Sequence, residues 1–267
     1  MRIRLNEINL NRIYKAILRR FKSIPHRFLW SLNKNMRKER MGSFKNKYEG
    51  ERCILVANGP SLKKMNLSFL KDEISFGLNR IYLAYDDMGF KNDYLVSINS
   101  LVLSQFCKEI ENLNMPKFLN WESRKFFNKK NTNTNFIYRR FFGKKFGKNP
   151  IDSLNPAATV TYAALQIIYF MGFKEVLIIG MDHNFSTKQS NTPNKLEIRD
   201  EEEDVNHFHP NYFPKGSKWE TPDLTSSEYF YRIARKEFEK DNRRIFDCTV
   251  EGKCQVFEKG DIKDFLS

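Results

Sequence analysis

Cysteine and histidine, which build most disulfide frameworks and zinc sites, are scarce in this sequence of 267 residues, with four of each. The cysteines are Cys53, Cys107, Cys248 and Cys254, and they show no C-x-x-C spacing. Neither a disulfide scaffold nor a zinc ribbon is therefore predicted. We interpret Cys53 and Cys248, which lie in or beside predicted strands, as buried free thiols in a reducing compartment.

Long apolar runs are also missing. No stretch of about 18 apolar residues occurs, so the sequence predicts no membrane-spanning helix. Charges interrupt the apolar positions at the N-terminus, which therefore does not have the apolar core of a signal peptide. We accordingly expect a cytoplasmic protein.

The common phosphate-binding motifs are absent as well. The sequence contains neither a GxxxxGK[ST] loop nor a GxGxxG loop, and it has no DxD pair. The segment GKKFGK at residues 143–148 has neither the P-loop spacing nor a preceding strand. These absences argue against a P-loop NTPase, a GxGxxG dinucleotide enzyme and a nucleotide-sugar transferase with the usual metal site.

Positive charge is present in excess and is unevenly placed. The formal net charge is +14. Residues 1–50 hold 14 Lys and Arg against 3 Asp and Glu, a net of +11 that leaves only +3 for the remaining chain. The basic character therefore belongs to an N-terminal arm, with residues 41–50 as its linker, and not to the domain predicted over residues 51–267.

The arm has the pattern of a basic amphipathic helix that ends near Pro25. Its apolar side consists of Ile3, Leu10, Tyr14, Ile17, Leu18 and Phe21, and most of its Arg and Lys residues lie opposite. We expect residues 1–40 to bind an anionic membrane at its inner face. Packing on the domain itself or on a second copy, as a homo-oligomer, remains an alternative. No nucleic-acid partner is expected, because the charge does not extend through the fold.

From residue 51 onward, apolar strands alternate with helices, which predicts an α/β fold with a doubly wound, mostly parallel, Rossmann-like sheet. Strands are predicted at 53–57, 73–81, 93–99, 116–121, 174–184 and 243–249, and helices at 62–72, 101–113, 156–173 and 226–242. Residues 123–150 show no clear period. Residues 186–224 are polar and are predicted to form a loop, named here the lid segment.

Polar or small residues follow five of the predicted strands. In a parallel sheet the carboxyl ends of the strands form one edge, where ligands bind. Amide and hydroxyl groups hydrogen-bond without charge, and a Gly-Pro turn lets backbone N–H groups approach a phosphate, so a nucleotide cleft is predicted there. The residues concerned are Asn58, Gly59, Pro60, Ser61, Asn79, Ser97, Asn99, Gly180, Asp182, His183, Asp247 and Thr249.

The ordered set VANGPSL, GLNRIY, SIN, PAATVTYAALQIIYFMGFKEVLIIGMDH and HFHPNYF resembles one superfamily over about residues 51–260. It comprises the bacterial sialyltransferases that use CMP-sialic acid and the MptE-like family. The latter includes motility accessory factors and archaeal 6-hydroxymethylpterin diphosphokinases. The resemblance implies that a lid histidine is the general base and that tyrosines hold the departing phosphate. It implies a nucleotide site of Asn58, Gly59, Pro60, Ser61, Asn79, Asn99, Thr159, Gly180 and Asp182.

The histidine-containing stretch of the lid segment predicts the catalytic residues. Histidine suits removal of a proton from an acceptor hydroxyl, and tyrosine hydroxyls stabilise developing phosphate charge without a metal. His207, His209 and Tyr212 are the predicted catalytic residues, and we favour His209 as the base because Pro210 and Tyr212 would fix its ring. The sequence departs from the sialyltransferase pattern in having two such histidines, and in Ala157 where those enzymes have an arginine.

Three functions remain open at this point. The sequence favours a metal-independent glycosyltransferase that moves a sialic-acid-like (nonulosonate) sugar from a CMP donor to a cell-surface glycan or protein hydroxyl. The alternative is an MptE-like diphosphokinase that uses ATP and Mg²⁺, with Asp182 and Glu202, Glu203 or Asp204 as ligands. The third is a non-enzymatic adaptor. No cofactor is expected for the transferase.

Overall fold

The computed structural model describes residues 24–128, 131–140, 145–157, 159–185 and 193–265. The predicted amphipathic helix of residues 1–23 lies outside the described residues. Three of the four cysteines are buried, Cys107 is half-buried, and all four are free thiols.

An eight-stranded sheet with the order β10-β9-β6-β1-β2-β3-β4-β5 forms the centre of the fold, and all of its strand pairs are parallel. A separate antiparallel pair, β7 and β8, lies in the lid segment. The strands are β1 (Arg52–Val56), β2 (Ser75–Leu78), β3 (Tyr94–Ser97), β4 (Lys117–Asn120), β5 (Thr134–Ile137), β6 (Glu175–Ile179), β7 (Leu196–Ile198), β8 (Lys218–Glu220), β9 (Arg244–Asp247) and β10 (Glu258–Lys259).

Helices cover both faces of this sheet, and a hydrophobic core lies on each side of it. The described helices are α1 (helical residues 24–32), α2 (Lys34–Gly42), α3 (Tyr85–Met88), α4 (Ser100–Gln105), α5 (Cys107–Asn112), α6 (Val160–Phe170), α7 (Leu224–Lys240) and α8 (Ile262–Phe265). The predicted Rossmann-like α/β fold is confirmed. Among the described residues, no helix has both the length and the apolar character to cross a bilayer.

The chain reverses its direction across the sheet after β5. Strands β1 to β5 are laid down in order, and α6 then returns the chain to β6 on the other side of β1. Ten of the eleven residues of α6 are buried, as its nearly continuous apolar sequence predicts. The carboxyl ends of β1 and β6 therefore form a topological switch point, the place where sheets of this kind bind ligands.

The structure corrects several predicted elements. Residues 123–150, for which no strand was predicted, contain β5, and the lid segment contains β7 and β8. The single helix predicted at 101–113 is two helices that are interrupted at Phe106. Strand β9 is followed by the short β10, and residues 62–72 form 3-10 turns in place of an α-helix.

The predicted linker at residues 41–50 is part of the globular body. Met41 is buried, and Phe44 and Tyr48 pack against the main core. The backbone N–H groups of Asn46 and Tyr48 donate to the carbonyls of Phe170, the last residue of α6, and of Met171, which follows it. This packing corrects the predicted boundary at residue 50, because the described chain is already integrated with the sheet before β1.

Candidate functional site

A carboxylate connects the two strand ends at the switch point between β1 and β6. Ser61 donates to Asp182 through Oγ (2.7 Å to Oδ2) and through its backbone N–H (3.0 Å to Oδ1). The Gly59 N–H donates to the carbonyl of Gly180, which has a left-handed backbone conformation (φ +70°). These two N–H groups are therefore used within the protein, which corrects the expectation that they approach a phosphate.

Only glycine fits at position 59, because neighbouring atoms occupy the space that a Cβ atom would need. A Cβ atom there would lie 1.7 Å from Asp182 Oδ2 and 2.6 Å from the carbonyl oxygen of Gly180. Pro60 then begins the 3-10 helix Pro60–Lys64. The turn that links β1 to this helix is thus shaped by its contact with the end of β6.

Asn58 connects the end of β1 with the lid segment. Its backbone carbonyl accepts a hydrogen bond from the Phe208 N–H (2.9 Å). Its side-chain Oδ1 is buried and has no hydrogen-bond partner among the described residues. Because a buried, unpaired acceptor is costly, this oxygen is a candidate contact for a donor group of a ligand.

The end of β2 makes a second connection. Asn79, in a left-handed backbone conformation (φ +48°), accepts a hydrogen bond from Ser97 Oγ (3.0 Å), and its side chain hydrogen-bonds to Tyr212. The guanidinium of Arg80 donates to the backbone carbonyls of Asn211 and Tyr212. Arg80, which no sequence motif indicated, is buried and fixes the lid segment to the sheet edge.

Two predicted nucleotide-binding residues serve as helix caps. Asn99 is the N-cap of α4, and its Oδ1 accepts from the backbone N–H groups of Leu101 and Val102. Thr159 is the N-cap of α6, and its hydroxyl also contacts Tyr231 (3.2 Å). Both lie at the carboxyl edge of the sheet, where sequence analysis expected them, and their side-chain oxygens already have protein partners.

His207 is held by a carboxylate. Its Nδ1 lies 2.9 Å from Oδ2 of Asp204, which precedes it by three residues. Its ring is stacked on Tyr212, with 3.8 Å between the ring centroids. Its Nε2 makes no hydrogen bond to the described residues. Because an ionised carboxylate can only accept, the Nδ1 carries the proton and Nε2 is available as a base.

Asp204 is suited to this role because it stays ionised. Burial alone would raise the pKa of Asp204. The hydrogen bond from His207 and its electrostatic attraction, together with the charge of Arg199 and the Asn206 N–H, outweigh that effect and lower the pKa of Asp204 below its ordinary value. The Phe213 N–H also donates to this carboxylate. The sequence signal, an aspartate three residues before a histidine, was not recognised as a catalytic pair.

His209 has no such partner. Its Nδ1 accepts from the Asn211 N–H (3.1 Å), and its backbone carbonyl accepts from the Tyr212 N–H. These contacts hold the turn that contains Pro210. The geometry therefore favours His207 over His209 as the base, contrary to the preference drawn from the sequence.

A second histidine–carboxylate pair lies on the other side of β6. His183, in a left-handed backbone conformation (φ +55°), contacts Glu228 of α7, with 3.2 Å between Nε2 and Oε1. Burial lowers the pKa of His183, although the Glu228 carboxylate opposes this shift. Adjacent residues of β6 and its extension thus face opposite ways, Asp182 toward Ser61 and His183 toward α7.

The carboxylates proposed as Mg²⁺ ligands do not come together. Asp182 accepts from Ser61, Asp204 from His207, and Glu202 pairs with Lys215. Within the described ranges, no group of three or more Asp, Glu, His or Cys residues has a spacing that could hold a metal ion. The carboxylates that the sequence suggested as Mg²⁺ ligands therefore do not fit the ion.

A comparison with known protein families identifies the family to which the chain belongs. A sequence model of the family described as 6-hydroxymethylpterin diphosphokinase MptE-like matches residues 26–188, more than half of the chain. The chain belongs to the MptE-like family. The MptE-like match includes β1 to β6 and the switch point. It ends before the part of the lid segment that contains Asp204 and His207.

Two solved structures resemble the fold at low sequence identity. One is the Maf glycosyltransferase of Magnetospirillum magneticum AMB-1 (TM-score 0.49, 12% identity), which matches 85% of this chain, although the chain spans only 38% of that protein's length. The other is the sialyltransferase CstII of Campylobacter jejuni, solved with cytidine-5'-monophosphate (TM-score 0.45, 17% identity, 79% of this chain and 85% of that one). No curated protein sequence matches the chain.

Proposed function

We propose that this MptE-like protein is a metal-independent glycosyltransferase that moves a sialic-acid-like (nonulosonate) sugar from a CMP donor to a hydroxyl of a cell-surface glycan or protein. The observation that carries the proposal is the Asp204–His207 pair, held against Tyr212 at the carboxyl edge of the sheet. In this proposal the acceptor is presented at the inner face of the membrane, to which the basic N-terminal residues 1–40 bind.

The Asp204–His207 pair supplies the groups that transfer from a CMP donor requires, a base and a carboxylate that supports it. His207 Nε2 takes the proton of the acceptor hydroxyl while the hydroxyl oxygen forms a bond to the anomeric carbon. The bond from that carbon to the phosphate oxygen breaks, and CMP departs with the electron pair. The Asp204 carboxylate stabilises the imidazolium that forms and keeps the ring oriented, as the aspartate of a catalytic triad does.

Tyr212 supplies a donor for the departing phosphate. Its side chain is fully buried, and burial raises the pKa of Tyr212, so its hydroxyl is neutral and keeps its proton. A neutral hydroxyl in a site that excludes water stabilises developing negative charge without a metal ion. Asn79 hydrogen-bonds to Tyr212 and positions this hydroxyl beside the end of β2.

In this proposal the nucleotide binds at the switch point between β1 and β6, which belongs to the same carboxyl edge of the sheet. Asn58 Oδ1 offers a buried acceptor to a donor group such as the exocyclic amine of cytosine. The Ser61–Asp182 contact keeps the Asn58–Ser61 turn against the end of β6. Asn79, Asn99 and Thr159 line the same edge through adjacent strands and helix caps.

Separate alanine substitutions of the two lid histidines test this assignment. His207→Ala is expected to lower kcat for CMP release about 10²–10⁴-fold, the range for general base catalysis, with little change in CMP affinity. His209→Ala is the matched control and is expected to retain most of the activity. Loss of activity in His209→Ala with a fully active His207→Ala would reverse the assignment. Full activity in both variants would remove the base from the lid segment.

Diphosphoryl transfer from ATP to a pterin is the second candidate, because the matching family takes its description from that reaction. Thermal unfolding with CMP, CDP or ATP–Mg²⁺ separates the candidates. A ligand at 100 times its dissociation constant raises the free energy of unfolding by about 2.7 kcal/mol. The transferase proposal expects stabilisation by the cytidine nucleotides. Stabilisation by ATP–Mg²⁺ alone would favour the diphosphokinase, and stabilisation by none of them would favour the adaptor.

A further inference from the structure

The outward face of α1 and α2 is apolar. Ile24, Phe28, Leu32 and Met36 recur every four residues and are 57%, 62%, 65% and 46% exposed. Residues with this spacing lie on one side of a helical segment. Exposed apolar residues scattered singly are ordinary, but a contiguous row of large ones marks an interaction surface. We call these four residues the outer stripe.

The opposite face of the same helices is firmly anchored to the domain. Trp30 is buried, its indole N–H donates to the Asp152 carbonyl (2.7 Å), and the Arg37 guanidinium lies 3.6 Å from its ring centroid. The Trp30 ring also packs on Trp121 and Tyr138. The outer stripe is therefore presented by a fixed element of the domain and not by a loose tether.

The anchor also fixes where the stripe lies. Trp121 directly follows β4, and Tyr138 directly follows β5. Both residues therefore lie at the carboxyl edge of the sheet, the edge that also carries the candidate site. The indole of Trp121 donates to the carbonyl of His26 in α1 (3.1 Å). The α1 part of the outer stripe, Ile24 and Phe28, is thus next to the edge at which the proposed reaction takes place, whereas α2 continues along β5 toward the amino edge, where Arg40 donates to the Asn131 carbonyl (3.1 Å).

Basic residues accompany the stripe. Arg27, Lys34 and Lys38 are exposed on the same two helices, against a single exposed acidic residue, Glu39. The sequence immediately before them, residues 1–23, contains seven Arg and Lys residues and one Glu. An apolar row bordered by positive charge is complementary to lipid tails and anionic headgroups. Two copies of the same basic surface would repel each other.

We infer that the outer stripe and its basic border bind an anionic lipid surface, so that the domain lies with the carboxyl edge of its sheet beside the bilayer. The inference rests on the proposed function in one respect only. If His207 is the base, this orientation brings a membrane-borne acceptor close to it. The binding itself depends on the charge and exposure of the helices and requires no sugar nucleotide.

Vesicle sedimentation of the full-length chain tests the inference. We expect binding to phosphatidylcholine vesicles that contain phosphatidylglycerol, little binding to phosphatidylcholine alone, and weaker binding as ionic strength rises. Leu32→Glu and Phe28→Glu should each weaken binding about tenfold or more, because each removes a large apolar group from the contact. Lys34→Gln with Lys38→Gln should weaken binding to the anionic vesicles by about the same factor.

Leu196→Glu is the matched control, because Leu196 is a comparably exposed leucine (56%) in β7. It should bind vesicles as the wild type does. The inference is overturned if the wild type does not bind anionic vesicles, or if Leu32→Glu and Leu196→Glu bind these vesicles equally. It is also overturned if light scattering shows a wild-type dimer that Leu32→Glu converts to a monomer, which would assign the stripe to a second copy. Vesicle binding without CMP binding would refute the proposed function and leave this inference standing.

Discussion

Replacement of Gly59 by alanine is the sharpest test of the switch point, because the space for the new methyl group is already occupied. The added Cβ would lie 1.7 Å from Asp182 Oδ2, 2.5 Å from its Cγ and 2.6 Å from the Gly180 carbonyl oxygen. The carbonyl belongs to the backbone at the end of β6 and cannot turn aside alone. Asp182 would have to move, and both of its hydrogen bonds to Ser61 would be lost or weakened.

The magnitude follows from these two effects. Overpacking of a filled site costs about 1–3 kcal/mol, and a hydrogen bond to a charged group contributes about 1.5–3 kcal/mol. We therefore expect Gly59→Ala to lower the free energy of unfolding by about 3 kcal/mol and to abolish measurable CMP binding. Urea denaturation gives the first quantity and titration calorimetry the second.

Gly42→Ala is the control for the alanine side chain itself. Apart from its chain neighbours and the backbone of its own helix, no atom lies within 4 Å of the Cβ it would add, and Gly42 ends α2 without a left-handed backbone. This variant should be stabilised by about 0.4–1 kcal/mol through the reduced entropy of the unfolded chain. If Gly59→Ala unfolds altogether, Ser61→Ala provides the milder change. Wild-type stability and CMP affinity in both Gly59→Ala and Ser61→Ala would refute the reasoning.

Two further predictions concern the histidine–carboxylate pairs. Asp204→Asn should lower kcat markedly with little change in CMP affinity, because an amide neither stabilises the imidazolium nor fixes the protonated Nδ1; an unchanged kcat would show that the pair is only structural. For His183, whose pKa is lowered by burial, the unfolded state takes up a proton first as the pH falls below about 6.5, so part of the stability present above that pH is lost. Denaturation between pH 7.5 and 5.5 should therefore show a shallower decline in His183→Asn than in the wild type, and equal declines would contradict the prediction.

Much of the fold could be predicted from the sequence because the strongest patterns are local. The nearly all-apolar α6 and the runs that form β1 and β6 are buried on every side, so their composition alone identifies them. β5 could not be found in this way, since its four residues contain a threonine and an asparagine that are buried at the sheet edge. In β7 the alternation is inverted, with Leu196 and Ile198 exposed and Glu197 buried.

The site was predictable as a set of residues but not as a set of contacts. The strand-end residues were recognised because parallel strands share one edge. The contact between Ser61 and Asp182, however, joins positions 121 residues apart, and only the folded sheet brings them together. The Asp204–His207 pair is local, yet the acidic run that contains it was interpreted as a candidate metal site. Arg80 and Glu228 gave no motif and were found only through their contacts.

The most direct measurement of the central claim is product formation by the wild-type chain in the presence of EDTA. The protein is incubated with CMP-activated nonulosonates and a galactoside or glycan acceptor, and CMP release and glycosylated product are quantified together. We predict that both appear in equal amounts without a divalent metal and that both are lost in His207→Ala. No CMP release from any such donor, together with Mg²⁺-dependent conversion of ATP to AMP in the presence of 6-hydroxymethylpterin, would contradict the account.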